Sequence, residues 1–134
     1  MEIESKQVIV VRKDLGMRKG KMIAQGAHAS MAAVINQGHI TEGQDPNTHY
    51  LVIPMDPEMH VWINGRFKKI AVSVNSEAEL LAIHQKALDA GLYSALIQDA
   101  GLTEFGGQAT YTAVAVGPNR ADKVDAITGS LPLL

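Results

Sequence analysis

Gln7-Val8-Ile9-Val10-Val11-Arg12 is followed, after a short polar connection, by Lys21-Met22-Ile23-Ala24-Gln25-Gly26-Ala27-His28-Ala29-Ser30-Met31-Ala32-Ala33-Val34-Ile35. The first run is short, β-branched and apolar throughout, which is the pattern of a strand buried on both faces. In the second, Met22, Ile23, Ala27, Met31, Val34 and Ile35 recur at three- and four-residue steps, so a helix is expected over 21–37. Its many small residues (Ala24, Gly26, Ala27, Ala29, Ser30, Ala32, Ala33) let a helix lie close against a sheet. A buried strand followed at once by a close-packing helix sets the class.

The alternation continues along the chain. Residues 67–74 read as a strand. Ser76 is an N-cap for a helix over 77–88, and Gly91 sits just past its last turn. Residues 93–98 and 109–116 read as strands, the second closed by Gly117-Pro118, and 120–128 as a helix ended by Gly129, with an apolar tail over 131–134. Between them, 38–64 contains Gly38, Gly43, Pro46, Pro54 and Pro57, so no long regular element fits through it. Short strands are expected at 50–53 and 60–63, with Asn64-Gly65 either a hairpin turn or the end of a loop. These elements predict an α/β layer fold around a mixed sheet, as one domain over 1–134.

Composition narrows the chemistry. The 134 residues include no cysteine, which excludes disulfides, thiolate metal sites and a cysteine nucleophile. The apolar runs are too short to cross a bilayer and the N-terminus lacks a signal-type stretch, so a cytoplasmic protein without a membrane partner is expected. The formal net charge of −2 hides an uneven distribution. Over 6–21, six basic residues (Lys6, Arg12, Lys13, Arg18, Lys19, Lys21) face Asp14 alone, while the rest of the chain is acidic. A basic edge on an acidic body suits an anionic ligand, although a run of this kind is also an ordinary solvated face. An aromatic content of 4% argues against a platform for stacking single-stranded nucleic acid.

Gly16-Met17-Arg18-Lys19-Gly20-Lys21 opens the first helix. A nucleotide P-loop needs four residues between its glycines and Ser or Thr after the lysine; here three intervene and Met22 follows. The helix start still favours an anion. Lys21, Gln25 and His28 fall on one stripe, facing either a cleft or solvent, with His28 also readable as a hydrogen-bonded structural histidine. Asp99, at a strand end, is placed to orient or activate water with Thr103 beside it, or simply to make an Asx-turn; Thr110 and Thr112 extend the polar region. His39, His49 and His60 match no metal-ligand spacing, so no metal site and no cofactor are expected.

Three separated stretches resemble one family. Residues 7–30 resemble the N-terminal signature of the peptidyl-tRNA hydrolases of the archaeal and eukaryotic class. Leu96-Ile97-Gln98-Asp99-Ala100-Gly101-Leu102-Thr103 resembles their second motif, and Val116-Gly117-Pro118 with residues 125–134 resembles their C-terminus. The resemblance implies a mixed four-stranded sheet flanked by helices, a homodimer, and cofactor-free hydrolysis of the ester joining a peptide to tRNA. It assigns catalytic roles to Lys21, Gln25, Asp99 and Thr103 and aligns His28, Thr110 and Thr112 with further family residues; these three, with Arg18 and Lys19 of the basic edge, are expected to contact tRNA. A non-catalytic RNA-binding module of the same fold and a hydrolase of another acyl ester are the alternatives.

Overall fold

The apolar run quoted first forms β1 (Ser5–Arg12), seven of whose eight residues are buried because it lies inside a sheet. In a computed structural model describing residues 4–102 and 104–134, the chain continues as α1 (Lys19–Ile35), β2 (His39–Glu42), β3 (His49–Val52), α2 (Pro57–Asn64), β4 (Lys69–Val74), α3 (Glu77–Asp89), β5 (Ser94–Asp99), β6 (Thr110–Arg120) and α4 (Ala121–Thr128). The main sheet has the order β4-β1-β6-β5. β1 is parallel to β4 and antiparallel to β6, which is antiparallel to β5. β4, β1 and β5 therefore point the same way, and Val74, Arg12 and Asp99 end at one edge. This is the mixed α/β sheet that the sequence pattern predicts, with the four strands that the family resemblance implies.

Two cores lie on its two faces. Val8, Val10, Val72, Val74, Val114 and Val116 meet Leu80, Ile83 and Ala87 of α3 and Val124 of α4. On the other face Ala95, Ile97, Ala113 and Ala115 meet Ala29 and Ala33 of α1. Small residues on both sides bring this helix close; a Cβ on Gly26 would already touch the Ile9 side chain at 3.4 Å. Ser76 accepts a hydrogen bond from the Glu79 amide, and Gly91 adopts φ +75° just beyond α3, as their residue types anticipate.

The segment 38–64 departs from its reading. Residues 60–63 are helical, not a strand. Asp56 accepts from the Met59 amide at 2.8 Å and Pro57 opens the helix, so the Asp-Pro pair starts α2 instead of merely interrupting the chain. Met59 and Trp62 are buried, with α2 lying against β1 and β6. Asn64-Gly65 ends this helix and makes no hairpin. β3 falls on the expected strand, but pairs with the unforeseen β2, and all eight residues of this hairpin are exposed.

Gly117-Pro118 does not close β6 either. The strand continues to Arg120 across a register shift opposite Lys6 and Val8, where proline's missing N–H breaks no ladder. The apolar tail runs beside β4: the Ser73 amide donates to the Pro132 carbonyl and the Leu134 amide to the Ala71 carbonyl. Among the described residues, no helix is long and apolar enough to cross a membrane.

Candidate active site

Asp99 ends β5 at the edge where β1 and β4 also end, and α1 starts above it. The carboxylate is held from three directions. Its Oδ1 accepts from Lys21 Nζ at 2.8 Å and from Gln25 Nε2 at 3.3 Å, while Oδ2 accepts from the Gly101 amide at 2.8 Å. Lys21 and Gln25 are one helical turn apart, so one flank of α1 delivers both. Gly101 has φ +83°, and any side chain there would collide with the Gln108 backbone; glycine lets the chain fold back and aim its N–H at Asp99.

Gln25 is fixed in turn. Its Oε1 accepts from the Thr112 hydroxyl at 2.5 Å, a buried contact that decides which way the amide points. With Oε1 committed to Thr112, Nε2 faces Asp99. The hydrogen bond from Lys21 is the chief reason the Asp99 carboxyl sits below its ordinary pKa; burial opposes the shift, and the Gly101 amide, the Lys21 charge and Gln25 add to it. Asp99 is thus a firmly ionised, oriented acceptor and a weak base. It can hold a water molecule or bind a donor, and Lys21 can place positive charge beside any oxygen brought to it.

The remaining sequence-derived residues separate clearly. Arg18 is nearly fully exposed at the start of α1, its guanidinium 3.8 Å from Glu104, and Lys19 is exposed beside it. His28 is exposed on α1, and so is not the buried, hydrogen-bonded structural histidine that was one of its readings. Thr110 donates its hydroxyl to the Gln108 carbonyl at 2.9 Å. Thr112 is 0% exposed and has no surface to offer a tRNA, so its position is inside the scaffold of the site. Thr103 lies outside the described residues.

The basic run also divides. Lys6 is buried at the start of β1, roughly 20 Å along the strand from Arg12, and pairs with Asp125. Arg12 is buried as well, donating to both oxygens of Asp14 and to the Tyr111 carbonyl. That leaves Lys13, Arg18, Lys19 and Lys21 as the cations at the site edge. Glu104, which faces Arg18, and Phe105, whose ring centroid lies 5.7 Å from Lys21 Nζ, escaped the sequence reading. Their only signal was proximity to Asp99 along the chain. Among the described residues, no three of His, Cys, Asp and Glu gather as a metal site requires. His39, His49 and His60 are exposed, His49 with Glu42 as its partner.

Residues 5–134 match the family described as Peptidyl-tRNA hydrolase PTH2. A protein of Methanocaldococcus jannaschii named Peptidyl-tRNA hydrolase is 42% identical over 129 residues, 96% of this chain and 99% of its own length. Proteins of the same name from Methanopyrus kandleri and Haloquadratum walsbyi are each 39% identical, over 96% of this chain and 97% and 98% of their own.

Proposed function

The chain belongs to the peptidyl-tRNA hydrolase family PTH2, and from that premise we propose that Lys21, Gln25 and Asp99 are the centre at which it hydrolyses the ester of peptidyl-tRNA. The observation that carries this reading is the Asp99 carboxylate, fixed by Lys21, Gln25 and the Gly101 amide. Asp99 accepts a hydrogen bond from the attacking water and aligns its lone pair on the ester carbonyl. Lys21 donates to the carbonyl oxygen as it becomes an oxyanion. When the acyl–oxygen bond breaks, the peptide leaves as a carboxylic acid and the ribose hydroxyl of tRNA takes the proton. Water suffices as nucleophile because an ester is already activated. By the family resemblance, Thr103 helps to position this water.

Lys13, Arg18 and Lys19 supply the charge that grips tRNA phosphate, with His28 and Thr110 as further contacts. The protein works in the cytoplasm, where translation supplies the substrate, and needs no cofactor. It forms a homodimer through the β2–β3 hairpin, whose Ile40, Tyr50 and Leu51 are left exposed by the described residues. Light scattering on Ile40→Glu should show monomers; an unchanged mass removes the hairpin from the interface. Turnover of peptidyl-tRNA beside free N-blocked amino-acid esters tests the function. Preference for the tRNA ester is expected, and equal rates on both would assign the site to general acyl esters.

A further inference from the structure

α1 has a second flank. Lys21 and Gln25 face Asp99, whereas Lys19, Met22, Ile23, Gly26 and Ala27 form a separate stripe at helical spacing on the opposite flank. That stripe overhangs a strip of sheet formed by Ile9 and Val11 of β1 and Ala71 of β4, and Leu134 of the C-terminal tail closes one side. The result is a cleft of about 490 Å³. This lies within the roughly 300–1,000 Å³ of ordinary ligand sites. Its walls are almost wholly apolar, and the only charges lining it are on Lys13 and Lys19, which belong to the basic site edge.

Those walls restrict the occupant. They offer a polar group no hydrogen-bond partner besides the two lysines, so a hydrocarbon group fits them best. The two ammonium groups favour a hydrocarbon that arrives attached to an anion. Peptidyl-tRNA meets both conditions, carrying apolar side chains on one arm and a polyanion on the other. Resting on the hydrolase reading above, we infer that the cleft receives an apolar side chain of the peptidyl moiety, several residues upstream of the ester. The distance follows from the sheet beneath the two sites. Asp99 ends β5, whereas the cleft lies over β1 and β4, two to three strands away, and Ile9 and Ala71 stand several residues back from the strand ends. At about 4.8 Å per strand and about 3.3 Å per residue along a strand, the two are roughly 15–18 Å apart. An extended chain advances about 3.3–3.6 Å per residue, so the crossing takes roughly five residues and the side chain bound is about the fifth or sixth from the tRNA.

The test compares three substrates: an N-acetylaminoacyl-tRNA, and two hexapeptidyl-tRNAs carrying Leu or Ser at both the fifth and sixth residues from the tRNA. The Leu substrate should exceed the Ser substrate by about tenfold in kcat/KM. Ala27→Phe and Ala71→Phe fill the cleft from helix and strand, and each should abolish that preference. Both should keep wild-type turnover of the N-acetylaminoacyl-tRNA, which also shows that they fold. Equal rates for the Leu and Ser substrates, or a preference that survives both filled clefts, overturns the inference and leaves the hydrolase reading intact. Wild-type protein that hydrolyses none of the three overturns the hydrolase reading, and this one with it.

Discussion

Replacing Thr112 by valine keeps the side-chain shape and removes one hydroxyl from a position that is 0% exposed. Gln25 Oε1 then loses the donor that held it at 2.5 Å, inside a region that water cannot enter to replace it. An unsatisfied buried acceptor costs about 1–3 kcal/mol. For a chain of this length, that corresponds to a fall in Tm of roughly 4–11 °C. The catalytic effect is separate. Without Thr112 the Gln25 amide can turn over, presenting an oxygen to the Asp99 carboxylate where a donor stood at 3.3 Å. Loss of that alignment should lower kcat by about 10- to 100-fold with KM little changed, since Thr112 touches no substrate. Thr112→Ser restores the donor and should recover most of both losses. In the Thr112→Val/Gln25→Leu pair the two effects should fall well short of additive, because both remove the same contact. A Thr112→Val protein with wild-type Tm and kcat would refute the argument that this hydroxyl orients the site.

Three other outcomes follow from the same geometry. Binding of tRNA should weaken as salt rises, and Lys19→Ala should reduce the slope of log affinity against log salt by about one; an unaltered slope would mark Lys19 as plain surface. Burial and the Asp56 carboxylate at 2.7 Å push the Tyr93 phenol up to about 12, so in the folded protein it stays protonated where the unfolded chain already ionises. Stability should therefore fall as pH rises from about 10 toward 12. Tyr93→Phe should flatten that fall, and absorbance near 295 nm should show one tyrosine titrating late. Turnover should persist in excess EDTA; loss restored by a divalent ion would require a metal in the mechanism.

How far the sequence could be read depended on whether local pattern or distant contact made the decision. β1 and α1 were legible because continuous burial and helical spacing are written within a few residues of one another. α3 was legible because Ser76 and Gly91 mark its ends. The helix at 57–64 was not, since its eight residues show only two buried side chains and its start depends on Asp56 acting as a cap. β2 was missed because hairpin residues exposed on both faces show no alternation to detect. At the site, helical spacing picked out Lys21 and Gln25 and a strand end picked out Asp99, and the motif resemblance gave them their roles. It did not reveal that Thr112 is interior, or that Lys6 and Arg12 are spent on partners inside the fold. Those facts depend on register across the sheet, which sequence spacing does not contain.

The central claim is that Asp99 acts as a fixed, ionised acceptor for the attacking water while Lys21 meets the developing charge. The most direct test is the single-turnover rate of peptidyl-tRNA hydrolysis by Asp99→Asn under saturating enzyme, with tRNA binding measured on the same preparation. Asparagine keeps the size but offers an amide donor where the carboxylate accepted three hydrogen bonds. The rate should fall by about 10²- to 10⁴-fold while tRNA affinity stays within a few-fold of wild type. A near-normal rate in Asp99→Asn would contradict the account and remove Asp99 from the chemistry.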